Sequence, residues 1–103
     1  REVENYALVH VTSSRGDRAK LPEISLPVIE AVKVPGYYIP DLYRMALNAR
    51  EIYVVESGVH CFLDGIIHDL RRNGVKLYLL SRPSLQPGEK YTLSEYWDTK
   101  YMV

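Results

Sequence analysis

Cys61 is the single cysteine of the 103-residue chain, and it directly follows His60. At the start of a helix a thiol's pKa falls, and a neighbouring imidazolium lowers it further. The pair therefore has the makings of a nucleophile or a sulfur acceptor. The competing use of a lone cysteine is as a small buried apolar group. One thiol also rules out an internal disulfide framework and any multi-thiolate zinc site. His60 and His68 stand two helical turns apart, about 12 Å of rise, too far to share a metal ion. His10 belongs to a different segment. Neither a metal nor a cofactor is expected. Asp64 and His68 are i, i+4 neighbours, placed for a local side-chain contact rather than a catalytic dyad.

The other motifs are weaker. Gly16, Gly58, Gly65 and Gly74 make neither a G-x-G-x-x-G fingerprint nor a Walker A loop. Arg15-Gly16-Asp17 reads as a surface turn, and Arg71-Arg72 with Lys76 as a solvated helix end. Nine tyrosines and Trp97 are more large rings than one small core hides. Such rings are enriched at interfaces, which points to self-association, and they also stack on bases.

These residues need elements to hold them. Tyr6 to Thr12 is apolar and β-branched, as a strand buried on both faces would be. Residues 19–39 are the least legible stretch, broken by Pro22, Pro27 and Pro35. Val28 to Val34 fits two helical turns entered at Pro27 or an edge strand, and the reading leans to helix or irregular structure. Pro40 to Ala49 is a clearer helix. Pro40 and Asp41 suit its first turn, and Leu42, Met45, Ala46 and Ala49 form one apolar face.

Glu51 to Glu56 is the next strand. Ser57 can cap the helix that follows, whose stripe is Val59, Phe62, Leu63, Ile66 and Leu70. Asn73-Gly74 ends that helix and Val75 to Leu80 is another strand. Residues 51–80 thus have the length of one βαβ unit with parallel strands and a right-handed crossover. Tyr91 to Leu93 and Lys100 to Val103 suit short strands, with a helical turn over Ser94 to Thr99. The expected fold is a single α/β domain, residues 1–103, with a small, mostly parallel sheet of four or five strands and flanking helices.

Ligands of open parallel sheets bind beyond the carboxyl ends of the strands, near helix N-termini. Three loops qualify: Thr12 to Arg18, Glu56 to Cys61 and Leu80 to Leu85. Ser57, Gly58, Ser81 and Arg82 are the expected ligand-binding residues.

Thirteen basic and thirteen acidic side chains give a formal charge of zero, without the basic surplus of a nucleic-acid module. The 47% hydrophobic fraction excludes a disordered chain. No apolar run is long enough to span a membrane, and residues 1–5 carry no signal-peptide core, so a cytoplasmic setting is expected. Position 1 is not Met, which fits residues preceding Arg1 or their removal by processing. Asn and Gln number only four, a composition associated with thermophilic sources.

Glu51-Ile52-Tyr53-Val54-Val55-Glu56-Ser57-Gly58-Val59, then Leu63-Asp64-Gly65, then Leu70-Arg71-Arg72-Asn73-Gly74-Val75-Lys76-Leu77-Tyr78-Leu79-Leu80 resembles the DsrE/DsrF/DsrH group of small sulfur-relay proteins, its DsrH-like (TusB-like) branch most of all. The resemblance centres on residues 50–85, about a third of the chain. It implies a DsrE- or flavodoxin-like α/β sandwich that assembles into dimers, trimers or hexamers. Active members of the group carry a persulfide on a cysteine at the end of the strand after the second helix. That position falls at or near Leu80, and neither Leu80 nor Ser81 is cysteine. Cys61 lies in a different loop and does not inherit the role.

The function expected on this basis is that of an oligomeric DsrE/DsrH-like protein, a non-catalytic or accessory subunit in sulfur transfer, paired with copies of itself or with related subunits. In that reading Cys61 packs at or near an interface. The first alternative is a nucleotide- or RNA-binding module or nuclease using the strand-end loops, with His10, Arg15, Arg18, Ser81 and Arg82 as its residues. The neutral charge counts against that one. The second alternative is a thiol enzyme using Cys61 with His60.

Overall fold

The computed structural model describes residues 5–11, 18–30, 39–55, 58–80 and 96–99, with the backbone alone at 39–41, 58 and 59. In chain order the elements are β1 (Ala7–His10), β2 (Val28–Glu30), α1 (Ile39–Asn48), β3 (Glu51–Val55), α2 (Gly58–Gly65), α3 (Ile67–Arg72) and β4 (Lys76–Leu80). The four strands form one sheet in the order β2-β1-β3-β4, every pair parallel. This is the expected α/β class.

Both faces of the sheet are covered, as strands with continuous apolar runs require. Leu8, Ile52, Val54, Leu77 and Leu79 pack under the helices, against Leu42, Ala46 and Leu47 of α1 and Leu63, Ile67 and Leu70 of α2 and α3. Alternate residues point the other way. Ala7, Val9, Val11, Tyr53, Val55, Tyr78 and Leu80 lie under Ala19, Leu21, Ile24 and Leu26, in the connection from β1 to β2. Tyr53 and Tyr78, partners in register, stack there with ring centroids 4.7 Å apart. The β1–β2 connection and the helical connections thus use opposite faces while the chain moves in opposite directions across the sheet. Two such reversals together preserve crossover hand, and parallel sheets favour the right hand.

Polar contacts pin the layers. The Tyr6 hydroxyl donates to the Met45 carbonyl of α1. Tyr43 Oη donates to Asp69 Oδ2 at 3.1 Å, tying α1 to α3. Asn73 Nδ2 donates to the Leu47 carbonyl at 2.9 Å and satisfies one of the acceptors orphaned at the end of α1. Gly74 then turns the chain into β4 at φ +75°, a conformation costly for any residue with a Cβ.

Three sequence expectations need correction. Val28–Glu30 is a strand rather than a helix or irregular segment. Three residues give no length over which a period can show, and the main-chain pairing with β1 decides the conformation. The single helix expected between β3 and β4 is two. It breaks at Ile66 (φ −113°, ψ 23°), directly after Gly65, where glycine and a β-branched residue both weaken the helix. The break rotates the stripe, so Ile67 is buried and Ile66 only half-buried. Of the helical turn expected over Ser94 to Thr99, residues 96–99 are described, and there Asp98 forms a bridge to Tyr78 instead. Its amide donates to the Leu77 carbonyl at 2.8 Å, and the Leu79 amide donates to its own carbonyl at 2.9 Å. The strands expected at Tyr91 to Leu93 and Lys100 to Val103 lie outside the described residues.

Candidate functional site

Strand order decides where a parallel sheet opens. From β1 the chain moves outward to β2, returns past β1 to β3, and continues to β4. The connections leaving β1 and β3 therefore diverge to opposite faces, the arrangement at which open parallel sheets bind ligands beyond the strand carboxyl ends. At that point His10 ends β1, in register with Val54 of β3. By strand alternation it shares the helix-side face with Leu8 and Val54. Its side chain is half-buried. Three residues beyond Val55, the last of β3, Gly58 begins α2, so the first backbone N–H groups of that helix lie at the same end of the sheet.

Ser57, Ser81, Arg82 and Arg15 lie outside the described residues, and of Gly58 only the backbone is placed. Arg18 is described, exposed, and paired with Glu30 Oε1 at 3.2 Å beside β2. A surface pair of this kind contributes little stability, but it holds Arg18 at the outer edge of the sheet.

His60 and Cys61 do not share an environment. His60 is fully buried (0% exposed), whereas Cys61 is exposed. The His60 ring meets Trp97 edge-on, centroids 4.7 Å apart and planes at 88°. Trp97 Nε1–H donates to Asp64 Oδ1 at 3.0 Å. Burial lowers the His60 imidazole from 6.5 to about 4, and the Asp64 carboxylate pulls the other way. A histidine in this setting is neutral near pH 7 and supplies no imidazolium to activate the neighbouring thiol. His68 is exposed and lies edge-on to Tyr96 at 6.1 Å, while Asp64 is engaged by Trp97. Among the described residues no group of three or more His, Cys, Asp or Glu side chains is placed to hold a metal ion. No helix among them is long and apolar enough to cross a membrane.

A shallow groove of about 460 Å³ lies at the opposite end of the sheet. It is lined by Arg71, Val75, Lys76, Tyr96 and Asp98 among others, with the Arg71 guanidinium 3.9 Å from the centre of the Tyr96 ring. Sequence reasoning missed it, because Tyr96 and Asp98 reach α3 and β4 only through tertiary packing.

The nine tyrosines also find places that composition does not foretell. Tyr6, Tyr53 and Tyr78 are buried, Tyr43 is half-buried and Tyr96 exposed; the other four lie outside the described residues. Among the described residues the large exposed apolar side chains are Val28 and Ile29 of β2, with Tyr96.

No protein-family model, curated protein or solved structure matches this chain.

Proposed function

We propose that the chain is a small-molecule-binding α/β module that takes a phosphate-bearing ligand of the nucleotide class between the carboxyl ends of β1 and β3. The reversal of strand order between those two strands carries this reading. The start of α2 beyond β3 supports it, because unpaired N–H groups and the helix dipole favour an anion there. In the sequence Ser57 follows β3, and Ser81 and Arg82 follow the neighbouring β4; their hydroxyl and guanidinium groups are of the type that binds such an anion.

Titration of the 15N-labelled chain with a panel of nucleoside mono- and diphosphates tests it. Amide shifts are expected at His10, Val11, Val55 and Gly58, and Arg82→Ala should weaken binding about tenfold, the loss of one charge-assisted contact. Shifts confined to Arg71, Lys76 and Tyr96 would place the ligand at the wrong end of the sheet and overturn the reading.

The accessory-subunit reading keeps one observation in its favour. Val28 and Ile29 project to opposite faces of an edge strand, and both are more than 40% exposed (47% and 41%). An uncovered apolar edge is a site for pairing with another chain. Association of copies through this edge predicts a light-scattering mass of at least twice 11.9 kDa, reduced to one chain by Ile29→Lys. A single-chain mass for the wild type across a dilution series would remove this support.

A further inference from the structure

We propose that His60, Asp64 and Trp97 form an acid-sensitive latch that holds the Trp97–Asp98 segment on the edge of β4 and releases it when His60 takes up a proton. At neutral pH the three groups are compatible. A neutral imidazole sits without charge under the edge of the indole ring, and the Asp64 carboxylate accepts the indole N–H at 3.0 Å. Asp64 is one turn beyond His60 on α2, on the same side of the helix. Beyond the indole, the segment is fixed by the two main-chain hydrogen bonds of Asp98 to β4.

A proton on His60 changes the balance. A fully buried imidazolium without solvent costs several kcal/mol. Two rearrangements relieve that cost. Asp64 can turn to the imidazolium and drop the indole N–H, or Trp97 can lift away and admit water. Either removes a contact that keeps Trp97 in place.

The surroundings offer no other relief among the described residues. The facing strands present Ile52, Val54, Leu77 and Leu79 on this side. On α3, Asp69 is engaged by Tyr43 and Arg72, and Arg71 and the exposed His68 face Tyr96. On α1, Arg44 is exposed. Asp98, on the segment itself, is exposed. Among the described residues Asp64 is thus the charged group set against the ring.

The sign follows from linkage. The closed form holds His60 down at about 4 against 6.5 in water. Closure is therefore fully supported above about pH 6.5 and loses support as pH falls towards 4. Between pH 7 and pH 4.5 the ratio of open to closed forms should rise on the order of 50-fold.

Trp97 is the only tryptophan in the chain, so its fluorescence reports on the latch alone. Acrylamide quenching should rise reversibly as the full chain is taken from pH 7.5 to 4.5, while far-UV circular dichroism stays constant. His60→Gln should abolish the transition and His68→Gln should leave it. Asp64→Asn keeps an acceptor for the indole but no charge for an imidazolium, and should move the midpoint to lower pH. Should His60→Gln fail to fold, NMR titration of the wild-type imidazole replaces it, with His60 expected to protonate only together with the rise in quenching. Three results would each overturn the proposal: unchanged quenching across this range, a transition that survives His60→Gln, or quenching that rises only as circular dichroism is lost.

Discussion

Leu63→Ala and Leu70→Ala should each lower the free energy of unfolding by about 3 kcal/mol, and Leu21→Ala by about 1 kcal/mol. All three remove the same atoms, and the difference lies in what surrounds them. Leu63 and Leu70 are fully buried between the helices and the sheet, in a layer closed by α1, α2, α3 and Trp97. Their truncation leaves a cavity that regular helices cannot collapse to fill. Leu21 is half-buried in the irregular connection that covers the other face. Little cavity forms there and an irregular backbone relaxes more easily. Urea melts of the three variants at constant m-value provide the measurement. Equal losses would mean that the two faces of the sheet are sealed equally well, contrary to the packing described here.

Trp97→Ala should cost about 3 to 5 kcal/mol and also return His60 towards its ordinary pKa. The indole is 5% exposed and belongs to the larger apolar cluster, so its removal takes away both area and a hydrogen bond to Asp64. It also uncovers the imidazole, and with the burial gone the cause of the lowered pKa goes with it. Denaturant melts give the first quantity and NMR titration of the imidazole the second. Trp97→Phe separates the contributions: it keeps most of the ring, drops the donor, and should cost about 1 to 2 kcal/mol. A Trp97→Ala chain with wild-type stability, or with His60 still near 4, would show that other groups bury the histidine.

What could be read from the sequence was what local periodicity encodes. The run from Glu51 to Leu80 carries two strand patterns around a helix stripe, and that unit is present, as is the helix begun near Pro40. β2 stays open between strand and helix in the sequence, because three residues after a proline satisfy several templates and only pairing with β1 selects one. Gly65 marked the helix break in plain text, yet the stripe across it is nearly continuous and masks the change of phase. The site divides in the same way. Its end of the sheet follows from having parallel strands at all. The divergence of the connections between β1 and β3 follows from strand order, which no window of sequence contains. Adjacency in the sequence makes His60 a natural partner for Cys61, but the fold separates their environments. The edge-on contact of His60 with Trp97, far along the chain, has no local signature.

The order β2-β1-β3-β4 also sets a timetable for synthesis. β1 emerges from the ribosome before the other three described strands, yet in the finished sheet it has a neighbour on each side. One neighbour follows once the long connection from His10 to Val28 has been made, but the other is not complete until Val55 has been added. Throughout that interval an apolar strand with one open main-chain edge must survive as part of a growing chain, exposed to the same pairing reactions that lead nascent proteins to aggregate. The half-made sheet, more than the finished one, is the form of this molecule with most need of protection.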